Sequence, residues 1–462
     1  MLDQTIARDV LDAALSTGGD FAEIFMEDRR ANALALQSNR LETVNSGRIH
    51  GAGIRIYVGL NAVYAYTNDT DREGLLRCAR QAASAVKAQG AAARVQPFAT
   101  PAIPNVHPIR LSPSEADVHQ KADVLRAANA AARAVSGEIS QVMCNYRDSE
   151  QDVLIANSDG LFVTDRRTYS RLVCVAVAGN GAENQVGSVA PGAMTGFELF
   201  QEKVDPSDAG REAAESAVKM LHAPVCPAGI MPVVIDNGFG GVIFHEACGH
   251  SLEATSVAFG MSEFTGKLGS QIASPCVTAI DDGTLPNEWG SENVDDEGTP
   301  TTRLVLIENG ILKNYMIDRL NGKRMGMAPT GSARRESYAF APTSRMRNTY
   351  IAAGSDDNAE ILSSMGDGLY AAKLGGGSVN PATGEFNFAV NEGYLVRDGK
   401  ITTPVRGASL IGKGAEVLMR IDRVGRDMRM AQGMCGSLSG SVPTNVGQPM
   451  IRVTSMTVGG RA

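Results

Sequence analysis

The sequence predicts an α+β protein. Two N-terminal modules of helix, β-meander and helix come first, and a β-rich mixed α/β domain of hairpins around one histidine-bearing helix follows. Three observations carry this prediction. Alanine-rich patterns of helical period twice bracket clusters of short strand-like runs before residue 225. Asn-Gly and Asp-Gly pairs, which accept positive φ, separate apolar runs later in the chain. The 462 residues, 43% of them apolar, supply cores for about two to four domains.

The first module, residues 1–92, opens with a helix over about 4–18. Leu2, Ile6, Val10, Leu11, Ala14 and Leu15 recur at helical spacing, and Asp3, Asp9 and Asp20 break any apolar run. That is an amphipathic helix rather than a signal peptide. Strands are expected at 21–26, 33–37, 54–58 and 62–67, then a helix over about 72–89. Residues 93–108 carry Pro97, Pro101, Pro104 and Pro108 and read as an extended linker. The second module, 109–225, repeats the order. A helix over about 114–135 precedes strands at 140–146, 152–157, 161–164 and 171–178, and a helix over about 206–221 closes it. The C-terminal domain, 226–462, begins with an apolar run at 231–235, a turn at Asp236-Asn237-Gly238 and a helical pattern. Hairpins follow around Asn309-Gly310 and Asp398-Gly399.

Composition excludes several classes. With 43 Lys+Arg against 51 Asp+Glu the net charge is −8, and direct nucleic-acid binding, which needs clustered cations, is not expected. No stretch approaches the ~18 apolar residues of a membrane span, so no membrane partner is expected either. Seven cysteines, an odd number without a CxxC pair, read as the reduced thiols of a cytoplasmic protein.

The segment with most chemistry is Gly238-Phe239-Gly240-Gly241-Val242-Ile243-Phe244-His245-Glu246-Ala247-Cys248-Gly249-His250. It holds two of only six histidines, with a glutamate after the first. In the familiar zinc-peptidase pattern the two His stand four apart and face one ion. Here they stand five apart, which turns them about 140° from each other on an ideal α-helix. A π-type turn returns them to one face. A π-bulge or helix break is therefore expected between Cys248 and His250, where Gly249 tolerates it, and this is the expected metal-binding helix. A catalytic zinc takes three protein ligands. Glu253, Cys248, Cys226, Cys276 and Cys435 are candidates for the third. Glu253 suits a ligand or an outer-sphere hydrogen bond to an imidazole equally well, and Cys435 sits among glycines. Spacing does not choose between those two.

Residues 245–250 together with Cys435 resemble the TldD/PmbA family of metallopeptidases, also called modulators of DNA gyrase. Further segments are similar in order: Asp295-Asp296-Glu297-Gly298-Thr299-Pro300, Leu306-Ile307-Glu308-Asn309-Gly310, Met325-Gly326-Met327, Arg334-Arg335-Glu336-Ser337-Tyr338, Arg345-Met346-Arg347-Asn348-Thr349, Gly412-Lys413-Gly414, Val446-Gly447-Gln448-Pro449 and Thr457-Val458-Gly459-Gly460. The resemblance implies a TldD-type catalytic subunit, since the paralogous TldE/PmbA branch lacks HExxxH. It implies one Zn²⁺ per chain on His245, His250 and Cys435, with Glu246 as the catalytic carboxylate. It further implies pairing with a metal-free TldE/PmbA-type paralog, or with a second copy. Phe340 departs from the family pattern, where histidine is common.

The expected chemistry is hydrolysis of peptide bonds in unstructured polypeptides, which the resemblance implies to include leader peptides and labile small proteins. Glu246 would take a proton from the attacking water and pass it to the leaving amine. Tyr338, Arg334 and Arg335 are candidates to contact substrate or the transition state. The two arginines could instead pair with the acidic stretch 295–297. Alternative functions are a noncatalytic, metal-stabilised regulatory partner of the gyrase-modulator type and a metal-dependent amidase of small molecules. A purely structural metal site has no need of Glu246.

Overall fold

The computed structural model describes residues 2–86, 93–380 and 383–460. Helix α1 (Gln4–Leu15) starts where the Asp3 side chain accepts from the amide of Ile6, and buries Ala7, Val10, Leu11, Ala14 and Leu15. Asp71 caps α2 (Arg72–Ser84) in the same way. The predicted end of this helix, 87–89, and the module boundary at 92 lie outside the described residues. In the second module Asp117 caps α3 (Val118–Arg133). The short α4 (Leu199–Glu202) is followed by α5 (Pro206–His222), which Asp205 caps and Pro206 opens.

Seven strands form the N-terminal sheet: β1 (Phe21–Gln37), β2 (Arg40–Val58), β3 (Asn61–Thr67), β4 (Ile139–Asn157), β5 (Phe162–Gly179), β6 (Asn184–Val189) and β7 (Gly192–Ala193). Their order is β3-β2-β1-β4-β5-β6, with β7 beside β5. Both modules contribute to this one sheet, joined where β1 runs antiparallel to β4. The short runs expected at 21–26 and 33–37 are parts of one 17-residue strand. Likewise the runs at 140–146 and 152–157 merge into β4, and those at 161–164 and 171–178 into β5. Charged residues such as Arg29, Arg147 and Arg167 interrupt the apolar pattern there. They face the C-terminal domain across the sheet, which a local pattern does not reveal.

The C-terminal strands are β8 (Gly229–Ile235), β9 (Ala279–Asp282), β10 (Arg303–Glu308), β11 (Ile311–Leu312), β12 (Ala333–Arg334), β13 (Thr343–Ser344), β14 (Asn348–Ile351), β15 (Gly368–Asn380), β16 (Glu385–Arg397), β17 (Lys400–Val405), β18 (Ser409–Lys413), β19 (Ile421–Val424), β20 (Arg429–Ser437), β21 (Gly440–Gln448) and β22 (Ile451–Gly459). One sheet runs β11-β10-β9-β14-β21-β20, and another β15-β8-β22-β18-β16-β17. The Asn309-Gly310 hairpin joins β10 to β11, and Asp398-Gly399 joins β16 to β17. All four turn residues have φ between 47° and 82°, the geometry those pairs were expected to supply. A single large core, including Ile243, Phe244, Leu306, Phe388 and Ile451, fills the space between these sheets.

Buried charges weld the two halves. Arg55 of β2 pairs with Glu23 at 2.9 Å and with Glu297, and Arg335 reaches Glu23 at 3.0 Å. Arg167 of β5 meets Asp296 at 2.7 Å. These side chains are at most 3% exposed, so removing one partner would strand a charge, at a cost of about 3–5 kcal/mol. No helix of the described residues is long and apolar enough to cross a membrane.

Candidate metal centre

Strand β8 ends in the turn at Asp236-Asn237, and Gly238, at φ +69°, opens a helical segment. Its first turn lies directly on β21. A Cβ on Gly241 would stand 2.5 Å from the backbone N, C and O of Gly447. Neither wall is a side chain that could turn away, so Gly241→Ala is expected to destabilise the protein by about 1–3 kcal/mol in urea unfolding. The segment then buries Ile243, Phe244, Ala247 and Cys248 in the core.

Residues His245–Gly249 form the expected π-helical turn, and His250–Leu252 continue as a 3₁₀ turn. The two imidazoles consequently meet edge to face, with centroids 5.0 Å apart. Gly249 has an ordinary helical φ of −55°, so conformational freedom is not what selects glycine here. The sulfur of Met346 occupies the space a Cβ would take.

Cys435 arrives on β20, paired to β21 opposite Val442. Its Sγ lies 3.3 Å from His245 Nε2 and 3.5 Å from His250 Nε2, and the three donors fall within 4.8 Å of one another. Bond lengths of about 2.0–2.1 Å for zinc–nitrogen and 2.3 Å for zinc–sulfur place tetrahedral N and S donors about 3.6 Å apart. The donor set and its spacing therefore fit a zinc ion. Burial opposes ionisation of the Cys435 thiol, yet the adjoining His245 and His250 bring its pKa down to about 4. Burial also opposes charge on His250, but Glu253 and Cys435 hold its pKa well above the usual histidine value.

Glu253 is not among the three donors. Its Oε2 lies 3.2 Å from His250 Nδ1, and its Oε1 accepts from the Met346 amide at 3.3 Å. It thereby turns His250 Nε2 toward the sulfur. Glu253→Gln keeps the shape but loses the charge, and metal affinity in chelator competition should fall about 10–100-fold. Glu246 Oε2 stands 3.7 Å from His250 Nε2, and its side chain is 23% exposed, so it borders the donors without being locked by another partner.

The remaining candidates lie elsewhere. Cys248 is fully buried in the core, and burial pushes its pKa well up. Cys226 is buried beside the Pro227 carbonyl, and Cys276 is exposed near Ile421. Arg334 Nε meets Glu292 at 3.3 Å and its Nη1 donates to the carbonyls of Met346 and Pro443. Arg335 binds Glu23 and Asp296. The Tyr338 amide donates to Glu27, and its carbonyl accepts from Tyr64. None of these contacts includes a donor of the cluster; the guanidinium groups of Arg334 and Arg335 are engaged within the frame, and Tyr338 is held there by its backbone. The half-buried Phe340 offers its carbonyl to Arg335. Arg345 was not anticipated. Fully buried, it donates to the carbonyl of Cys435, to Ser439 Oγ and to the Gly440 carbonyl, and its Nε lies 3.9 Å from Glu253. It ties the cysteine hairpin to the carboxylate that orients His250.

Comparison with known proteins agrees along the whole chain. Three successive profiles match: the PmbA/TldA metallopeptidase domain 1 at 22–86, its central domain at 111–221 and its C-terminal domain at 228–460. The metalloprotease TldD homolog of Haemophilus influenzae is 36% identical over 456 residues, 96% of this chain and 93% of that protein. A metalloprotease of Methanothermobacter thermautotrophicus is 34% identical, covering 96% of each. In fold, a DNA gyrase modulator-type protein of Thermotoga maritima superposes with a TM-score of 0.81 at 22% identity, over 99% of this chain and 100% of that one. TldE of Thermococcus kodakarensis superposes with a TM-score of 0.79 at 18% identity, over 98% and 100%. Profile matches over all three regions, together with relatives above 30% identity along nearly the full length, place this chain in the PmbA/TldD metallopeptidase family.

Proposed function

We propose that this protein is a zinc-dependent peptidase acting on unstructured polypeptides, with zinc on His245, His250 and Cys435 and Glu246 as general base. The observation that carries it is the placing of the Glu246 carboxylate 3.7 Å from His250 Nε2, beside the donor set but outside it. Zinc supplies Lewis acidity toward water and a peptide carbonyl when bound. Glu246 Oε2 takes the water proton and returns it to the leaving amine. Cys435 adds a negative charge that two neutral imidazoles would not, and Glu253 keeps His250 Nε2 directed inward.

The burial of the donors supports the substrate class. His245 is 4% and Cys435 6% exposed, so the donors are recessed from a rigid protein surface, which favours an extended chain as substrate. In addition, β20 is the end strand of its sheet, next to which an extended peptide can lie. The likeness of fold to TldE supports association with a TldE/PmbA-type paralog or a second copy. The seven cysteines, all free, support a cytoplasmic setting.

Zinc-loaded protein is expected to cut a denatured substrate at internal bonds and to leave its folded form intact, read by mass spectrometry of the fragments. Equal rates on both forms would reject the substrate class. Absence of any zinc-dependent cleavage would reject the peptidase.

A further inference from the structure

A cleft of about 600 Å³ separates the N-terminal sheet from the β20–β21 hairpin. Its floor is one face of the sheet. Across the strands Asn45 stands beside Ala33, Ala33 beside Arg147, and Arg147 beside Arg171. In the next row Gly47, Ala31, Ser149 and Tyr169 are neighbours. Small side chains thus make a trough, with arginines 29, 147 and 171 around it. Trp289, Met434 and Pro443 form the facing wall.

Arg29 and Arg171, both half-buried, differ from the fully buried arginines of the fold. Arg55, Arg167, Arg334, Arg335 and Arg347 each meet a carboxylate. Arg29 instead donates to the Glu336 carbonyl, and Arg171 donates to the Gln432 carbonyl while lying 5.0 Å over the Trp289 ring. The Nε atoms of both are buried without a partner. Among the described residues Arg147, which is exposed, forms no ion pair. The carboxylates bordering the cleft are already engaged: Asp148 by Lys121 at 2.7 Å, Glu292 by Arg334 at 3.3 Å and Glu336 by the Ser441 amide at 2.8 Å. Like charges directly opposite each other on neighbouring strands destabilise a sheet, and Arg147 and Arg171 are so placed, with no ion pair to either among the described residues. Burial, with Arg147 adding to it, pushes the Arg171 pKa down to about 10.

We infer that this cleft is an anchoring subsite for a carboxylate of the peptide substrate, held by Arg147 and Arg171 with Arg29 behind them. The inference rests on the peptidase reading for its substrate. Met434 walls the cleft, and Cys435, the next residue, carries a donor of the metal centre. Successive side chains of a strand face opposite sides, so the cleft and the donor lie on the two faces of β20, and a peptide anchored in the cleft reaches Glu246 by passing over this end strand. The recognised group is an Asp or Glu side chain or the C-terminal carboxylate, the chemistry being shared. Bidentate geometry suits a guanidinium to either.

The test is calorimetric binding to full-length, zinc-loaded protein carrying Glu246→Gln, so that binding is read apart from turnover. Three versions of one unstructured peptide are compared: a single internal Glu with a free C-terminus, the same with Gln, and the same with an amidated C-terminus. Neutralising the anchored carboxylate should weaken binding about tenfold. Loss on Glu→Gln identifies a side-chain anchor, and loss on amidation a terminal one. Arg147→Gln, at an exposed position, should reduce the charged peptide to the affinity of the neutral one and leave the neutral one unchanged. Equal affinity of all three peptides would overturn the inference, as would an equal loss for charged and neutral peptides in Arg147→Gln. Failure of wild-type protein to cut the same peptides counts against the peptidase, and a surviving charge preference would still uphold the anchor.

Discussion

Glu246→Gln should lower peptide hydrolysis by about 10²–10⁴-fold, the usual range for a lost general base, while leaving zinc content and stability unchanged. The amide keeps the size of the side chain and its neighbourhood with His250. What it removes is a site that can hold a proton between water and amine. The carboxylate lies outside the set of three donors, so metal analysis should return about one zinc per chain in both proteins. Its side chain is partly exposed, and among the described residues it is salt-bridged to no arginine or lysine, which makes a folding defect an unexpected outcome. Wild-type activity in a folded, zinc-loaded Glu246→Gln protein would refute the role. Loss of zinc along with activity would instead move Glu246 into the donor set.

Cys435→Ala should abolish both zinc retention and activity. Two imidazoles on one short segment are too few to hold the ion against dialysis, since structural and catalytic zinc sites take at least three protein donors. The loss should exceed the 10–100-fold typical of outer hydrogen-bond partners such as Glu253. A second readout follows from linkage. A ligand that binds only the folded state raises the melting temperature, so added zinc should stabilise wild type and leave Cys435→Ala unmoved. Unchanged zinc content in the variant would dismiss the thiolate as a donor.

Two helix starts were legible because short-range chemistry sets them: Asp3 and Asp71 each accept from an amide in the first turn that follows. The helix expected from about 114 instead starts at Val118 under Asp117, because Pro113–Glu115 form a separate 3₁₀ turn. The hairpin turns were legible for the same reason, as Asn309-Gly310 and Asp398-Gly399 need no distant partner to adopt positive φ. So was the π turn, because spacing of five with both histidines inward leaves few other solutions. Strand lengths were not. Arg29, Arg147 and Arg167 look like breaks in a local apolar pattern, yet they sit mid-strand because another domain covers that face. Nor was the part played by Arg345, whose partners Glu253 and Cys435 lie 92 and 90 residues away. Cys435 itself lies 190 residues from His245, and only likeness to a family singled it out. Gly249 was marked for a sound position and an unsound reason, since the constraint is Met346 rather than the backbone.

The charges welded between the halves have a consequence for how the enzyme can be dissected. Glu297, Asp296 and Arg335 belong to the half that bears the donors, but their counter-ions Arg55, Arg167 and Glu23 come from the first 170 residues. A truncated protein beginning near residue 226 would expose an acidic seam and an unpartnered guanidinium where it now has an interior. The order of domains is thus also a dependence: the half that carries the donors is not expected to stand alone, and shortening the chain to it should yield an insoluble or unfolded product.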